Sequence, residues 1–292
     1  MATLTQAQQL TRWVSRKGGR TRVLAVTSGK GGVGKTNVTV NLADRLARLG
    51  YNTMVLDGDM GLGNVDVMVG LQAQRSLADV ISGHCSLDEI IHPGPNGVRI
   101  IPAGSGITGL TQLGEEGQLT LLSQISALSE PPDYLLLDTA AGIGDNVRFL
   151  VGCAQEIVVV ATPDPTSITD AYALMKVMAS HHGERRFRLL VNQAKDADEA
   201  LEVYRRLSLA ADRFLGVAVD YAGFVPLDRA VSRAIRNQSG VSNAPASAAA
   251  DAFTRLARTV EGWQPGEKLK GGMQFFFNQM ADGESALLRA GG

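Results

Sequence analysis

Apolar residues along this chain gather into short unbroken runs rather than alternating with polar ones. Arg22–Thr27, Thr53–Leu56, Val98–Pro102, Tyr134–Asp138, Ile157–Thr162 and Arg188–Val191 are rich in leucine and β-branched residues. Such runs predict strands buried on both faces, since a half-exposed strand would show a period of two. Between them the period changes. Val38, Leu42, Leu46 and Leu49 recur at helical spacing from about Lys35, with Gly50 as the stop. Helical patterns also cover Ser167–Ala179 and Ala197–Leu207, and a further run, Leu215–Val225, leads to helices predicted near Asp228–Asn237 and Ala246–Val260. Strands and helices in alternation predict an α/β domain, with a mostly parallel twisted sheet covered by helices on both faces.

The two ends follow a different pattern. In residues 1–20, Leu4, Ala7, Leu10 and Trp13 or Val14 fall at roughly helical spacing, and Arg16–Arg20 is basic. This stretch reads as an extension ahead of a domain spanning 21–262. Residues 263–292 read as a Gly, Pro and Lys-rich linker and a short helix, on which Met273, Phe276, Phe277 and Met280 share one face. That face suits either the surface of a membrane or a seat on the protein body. Arg229, Arg233 and Arg236 also line one helix face. Solvent, an acidic protein or DNA would each satisfy them.

Composition narrows the field. The 292 residues are 45% hydrophobic and 20% charged, with a formal net charge of −1. Overall charge therefore gives no pull toward DNA or an anionic surface. Cys85 and Cys153 are isolated and read as small interior hydrophobes. No histidine or cysteine spacing suits zinc. No apolar run approaches the roughly 20 residues that cross a bilayer, and the polar, basic start lacks a secretory pattern. A cytoplasmic location is expected.

The chemistry is concentrated after the first strand. Gly29–Thr36 reads G-K-G-G-V-G-K-T, a phosphate-binding loop placed between a strand and a helix. Glycines let successive backbone N–H groups curl around a phosphate at a helix N-terminus. Lys35 is the expected contact to the β- and γ-phosphates, and the Thr36 hydroxyl the expected ligand of Mg²⁺. Gly29, Lys30, Gly31, Gly32, Val33, Gly34, Lys35, Thr36 and the adjoining Asn37 are the expected nucleotide contacts. The fold expectation thereby becomes a P-loop nucleoside triphosphatase with ATP, ADP and Mg²⁺ as its cofactors.

Carboxylates stand at the ends of two buried runs. Val55–Asp59 carries Asp57 and Asp59, which alternation along an extended segment places on one side. One could hold the metal's water shell while the other orients the attacking water, and a purely structural strand-end role is the alternative for each. Tyr134–Asp138 is an apolar strand ending in a carboxylate, the pattern that holds Mg²⁺ through water. Small residues from Thr139 to Gly144 follow, where backbone must approach a γ-phosphate. Asn192, Pro226 and Asp228 follow later strands, where base contacts or simple turns would both fit.

The pattern K-G-G-x-G-K-T resembles the deviant Walker A loops of the MinD/ParA family, and D-x-D-x-G-L-G-N-x-D from Asp57 to Asp66 resembles that family's second motif. The resemblance implies the SIMIBI class of P-loop fold, slow ATP hydrolysis and an ATP-bound homodimer. It assigns catalytic work to Lys30, Lys35 and Asp59, with Lys30 reaching the partner's nucleotide and Asp59 orienting water. It places Thr36, Asp57 and Asp138 around the metal, and Asn192, Pro226 and Asp228 near adenine. Within the family, Asp138–Asp145, Asp164–Lys176 and Phe224–Gln238 look like the FlhG (FleN) branch, which regulates flagellar number and placement. Gln6–Arg12 resembles that branch's activating motif for an FlhF-like GTPase, although Thr5 stands where Asp is usual. The implied partners are that GTPase, the flagellar master transcription activator or basal-body proteins, with peripheral contact to the inner face of the cytoplasmic membrane through Met273, Phe276, Phe277 and Met280. A nucleotide-gated binding module, a division-site ATPase like MinD and a partitioning ATPase like ParA are the alternatives.

Overall fold

The computed structural model describes residues 21–61, 63–104, 113–241, 244 and 247–264. The N-terminal motif Gln6–Arg12 and the apolar face of Met273, Phe276, Phe277 and Met280 lie outside these. In chain order the elements are β1 (Arg22–Ser28), α1 (Lys35–Arg48), β2 (Thr53–Gly58), α2 (Val65–Val69), α3 (Leu77–Ile81), β3 (His92–Pro93), β4 (Arg99–Ile101) and α4 (Glu115–Ser126). There follow β5 (Tyr134–Ala141), α5 (Asp145–Gly152), β6 (Glu156–Ala161), α6 (Pro165–His182), β7 (Arg186–Ala194), α7 (Ala197–Leu215), β8 (Ala218–Pro226), α8 (Arg229–Arg236) and α9 (Ala248–Glu261).

The strands form one sheet in the order β3-β4-β2-β5-β1-β6-β7-β8. Every neighbouring pair is parallel except β3 with β4. This is the α/β architecture that the unbroken apolar runs predict. Alternate residues of each strand serve two separate cores. Val23, Ala25, Leu135 and Leu137 pack with α4, α5, α6 and α7 on one face. Leu24, Val26, Tyr134 and Leu136 pack with α1 and α9 on the other. Residues pointing both ways are apolar because both faces are dry.

Two boundaries differ from the sequence reading for local reasons. The run Leu215–Val225 is not continuous strand: α7 continues to Leu215 and ends on the left-handed Gly216, and β8 starts at Ala218. Trp263, read as the first linker residue, is held on the body. Its ring lies 4.7 Å from the Arg188 guanidinium, and its carbonyl accepts a 3.0 Å hydrogen bond from Arg22. Cys153 is buried and Cys85 half-buried, both as free thiols.

The consequence for function is the position of the edge. β1, β2, β5, β6 and β7 all end on the same side of the sheet, and open α/β sheets gather ligands there. The P-loop leaves β1 at that edge, between the crossovers that follow β5 and β6.

Candidate functional site

Gly29–Gly34 forms a tight loop between β1 and the first turn of α1. Glycine is needed at two of its positions for different reasons. Gly34 has φ 87°, and a Cβ there would run into the Asn192 amide. At Gly29 a Cβ would strike the backbone carbonyl of Asp170 on α6, so the loop packs directly on that helix. α1 has no acidic residue in its first turn and no side-chain cap. Its free N–H groups and positive dipole end therefore face the loop, as an anion requires.

Asp138, near the end of β5, is buried beneath α1 and accepts a 2.8 Å hydrogen bond from the Thr39 hydroxyl. Thr36 also donates to it, and the Lys35 ammonium acts on it electrostatically. Burial nevertheless raises the Asp138 carboxyl above the usual range, with Lys35, Thr36 and Thr39 opposing the shift and Asp59 adding to it. Its register partner on β2 is Asp57. Burial, followed by the neighbouring Asp138 charge, pushes Asp57 up to about 7. Asp138 beside the Thr36 hydroxyl offers hard oxygen donors of the kind that Mg²⁺ takes, with Asp57 adjacent. Among the described residues no three His, Cys, Asp or Glu side chains are grouped to hold a metal. Mg²⁺ typically keeps several waters and binds through phosphates and few protein ligands.

Asp57 and Asp59 are placed differently from each other. Strand alternation does not carry through to Asp59, because β2 ends at Gly58. Asp57 accepts backbone N–H bonds from Asp59 at 3.0 Å, Asn64 at 3.0 Å and Val65 at 3.1 Å. Both of its oxygens are thus engaged in shaping the segment 59–65. Asp59 is half-buried at the strand end, close enough to Asp138 to act on its charge.

Lys30 lies at the mouth of a cleft of about 610 Å³ lined by the P-loop together with Asp164, Gln193, Lys195 and Leu227. Its Nζ pairs with Asp164 Oδ2 at 3.0 Å and also donates to the Thr166 hydroxyl. Asp164 is the N-cap of α6, accepting from the Thr166 N–H at 2.8 Å. The Lys30 hydrogen bond, then those of Thr166, lower its carboxyl to about 2. Lys30 is therefore tethered within its own chain, with its side chain 39% exposed.

The residues proposed near adenine separate into different jobs. Asn192 is buried, and its Nδ2 donates to the Val33 carbonyl at 2.7 Å. Pro226 ends β8, and Asp228 caps α8 through the Ala230 N–H while also binding the Ser247 hydroxyl and the Ala249 N–H at the start of α9. The hydrogen bond from Ala230 leads in lowering the Asp228 carboxyl. Gln193, with φ 59°, and Leu227 line the cleft instead. The sequence reading missed Thr39, Asp164, Gln193 and Leu227. Thr39 was findable four residues after Lys35, on the same helix face. Asp164-Pro165 carries a helix-start signature.

The chain is similar to several known proteins. The AAA_31 family, described as an AAA domain, matches residues 21–189. The antiactivator FleN of Pseudomonas aeruginosa is 46% identical over 260 residues, covering 89% of this chain and 93% of FleN. The flagellum site-determining protein YlxH of Helicobacter pylori is 34% identical, covering 75% of this chain and 74% of YlxH. Among solved structures, the septum site-determining protein MinD of Pyrococcus horikoshii complexed with Mg-ADP has a TM-score of 0.67 at 23% identity, covering 83% of this chain and 96% of that one.

Proposed function

The chain belongs to the MinD/ParA family of P-loop ATPases and hydrolyses ATP to ADP and phosphate, and from that premise we propose that it is an ATP-gated dimerising switch governing flagellar number and placement. In this reading the P-loop amides and Lys35 bind the phosphates. Thr36 and Asp138 hold Mg²⁺ and its waters, and the ion would neutralise phosphate charge. Asp59 orients the attacking water, while Asp57 holds the 59–65 segment that carries Asp59 in place. The loop Gly142–Gly144, between β5 and α5, senses the γ-phosphate and passes its state to α5.

The observation that carries this reading is the placement of Lys30. It stands at the open mouth of the cleft on an exposed tether to Asp164, which a second subunit's phosphates could displace. Both chains would then grip each other's nucleotide, and hydrolysis would let Lys30 return. Sizing and phosphate-release assays on Lys30→Ala and Asp59→Ala test it. Lys30→Ala is expected to lose ATP-dependent dimerisation, and Asp59→Ala to dimerise without releasing phosphate. Wild-type ATP responses in both variants would refute the assignment.

The partner side extends the same proposal. Likeness to a protein named an antiactivator favours a second reading, in which capture of the flagellar transcription activator is the output and hydrolysis merely resets it. An FlhF-like GTPase or basal-body proteins are the other proposed partners. Peripheral membrane contact is proposed through Met273, Phe276, Phe277 and Met280, which recur at helical spacing along the sequence.

A further inference from the structure

A second cleft, of about 460 Å³, lies between α4 and α5. Leu122, Phe149 and Cys153 give it an apolar floor, Glu115 and Asp145 stand at its rim, and His182 closes one end. Asp145 is paired with Arg148. Glu115 and Glu116 form no ion pair among the described residues, and one turn further along α4 Leu119 is 66% exposed. α4 thus presents to solvent an apolar residue with carboxylates beside it.

The topology says which segment lies nearest. α4 leads into the start of β5, and α5 leads from the end of β5 to the start of β6, so both helices descend to the edge opposite the P-loop. β1 lies between β5 and β6. Its first residues emerge where those two helices finish: the Thr21 hydroxyl donates to the Pro132 carbonyl at 2.7 Å, and the Thr21 carbonyl accepts from the Gln155 side chain at 3.5 Å. Thr21, the first described residue, therefore lies at the lower mouth of the α4/α5 cleft.

That segment is complementary in length, pattern and charge. Residues 1–20 hold four of the 28 basic residues (Arg12, Arg16, Lys17 and Arg20) and none of the 29 acidic ones, so the rest of the chain is net negative. Residues 15–20 reach up to about 20 Å when extended. As a helix, residues 4–14 would be about 16 Å long, close to the roughly 18 Å of α4.

We propose that residues 1–20 dock on their own ATPase body, laying Leu4, Leu10 and Trp13 along the α4/α5 cleft against Leu119, Leu122 and Phe149. Docked in this way, the segment is withheld from other proteins. Cleft and partner then compete for one apolar face, and displacement from α4/α5 is the step that makes the segment available.

Trp13 and Trp263 are the chain's two tryptophans, so full-length protein with Trp263→Phe reports on Trp13 alone. Its acrylamide quenching should be several-fold weaker than that of free N-acetyltryptophanamide, and independent of protein concentration. In that background Leu119→Glu, or Glu115→Lys with Glu116→Lys, should raise quenching toward the free value and speed amide exchange in 115–122 and 145–153. Leu10→Glu should do the same while leaving the melting curve of the body unchanged. Quenching at the free value from the outset would overturn the proposal. So would protection that ignores every cleft variant, which places the segment elsewhere, or protection lost on dilution, which places it on a second copy.

Discussion

Replacing Asn192 by alanine separates two readings of the nucleotide site. In the fold this side chain faces the P-loop, and its 2.7 Å bond to the Val33 carbonyl is buried from solvent. Alanine leaves that carbonyl without its partner and opens a gap beside Gly34, whose Cα sits against the amide. Stranding one buried polar group costs about 1–3 kcal/mol. The loop can escape this cost by losing its phosphate-ready shape, so the penalty should appear in nucleotide affinity more than in global stability. A cost of that size corresponds to roughly 5- to 150-fold weaker binding. Because the lost contact orders the phosphate cradle, ADP and GDP should weaken by similar factors. Titration calorimetry with both nucleotides in Mg²⁺, beside a thermal melt, measures this directly. A loss confined to adenine nucleotides would refute the reasoning and return Asn192 to base recognition.

Three further outcomes follow from the same geometry. Asp164→Ala frees Lys30 from its tether, and ATP-dependent dimerisation in sizing chromatography should then appear at lower ATP than in wild type; an unchanged or higher requirement would mean that the tether does not oppose dimerisation. Gly29→Ala should abolish nucleotide binding by calorimetry while the far-ultraviolet spectrum is kept, because its Cβ meets backbone of α6 rather than a side chain that could turn aside. In magnesium-free protein Asp57, raised from 3.8 to about 7, keeps a proton in the folded state that the unfolded chain releases near its ordinary value. Its contribution is therefore full below about pH 4 and is lost as pH rises through 7, amounting to about 2–3 kcal/mol between pH 5 and 8. Urea unfolding across that range should show the decline in wild type and a flatter profile in Asp57→Asn; parallel profiles would show that Asp57 stays ionised throughout.

The sequence by itself determined the features that depend on neighbours along the chain. Unbroken apolar runs such as Tyr134–Leu137 mark strands buried on both faces, and the eight-residue loop Gly29–Thr36 carries in its own order the glycines, lysine and hydroxyl that a phosphate requires. Asp138 was legible for the same reason, as the polar end of an apolar run. Tertiary structure decided what each polar side chain faces. Lys30 meets Asp164 across 134 positions, and Asn192 meets Val33 across 159, because the turn after β6 and the end of β7 lie beside the loop after β1. Asp57 was read as pointing with Asp59, yet three amides of the following segment fold back onto it once β2 has stopped at Gly58. Periodicity records which way a residue points along its own element. The partner it finds there is set by strand order and by where the chain turns, and no local pattern carries that information.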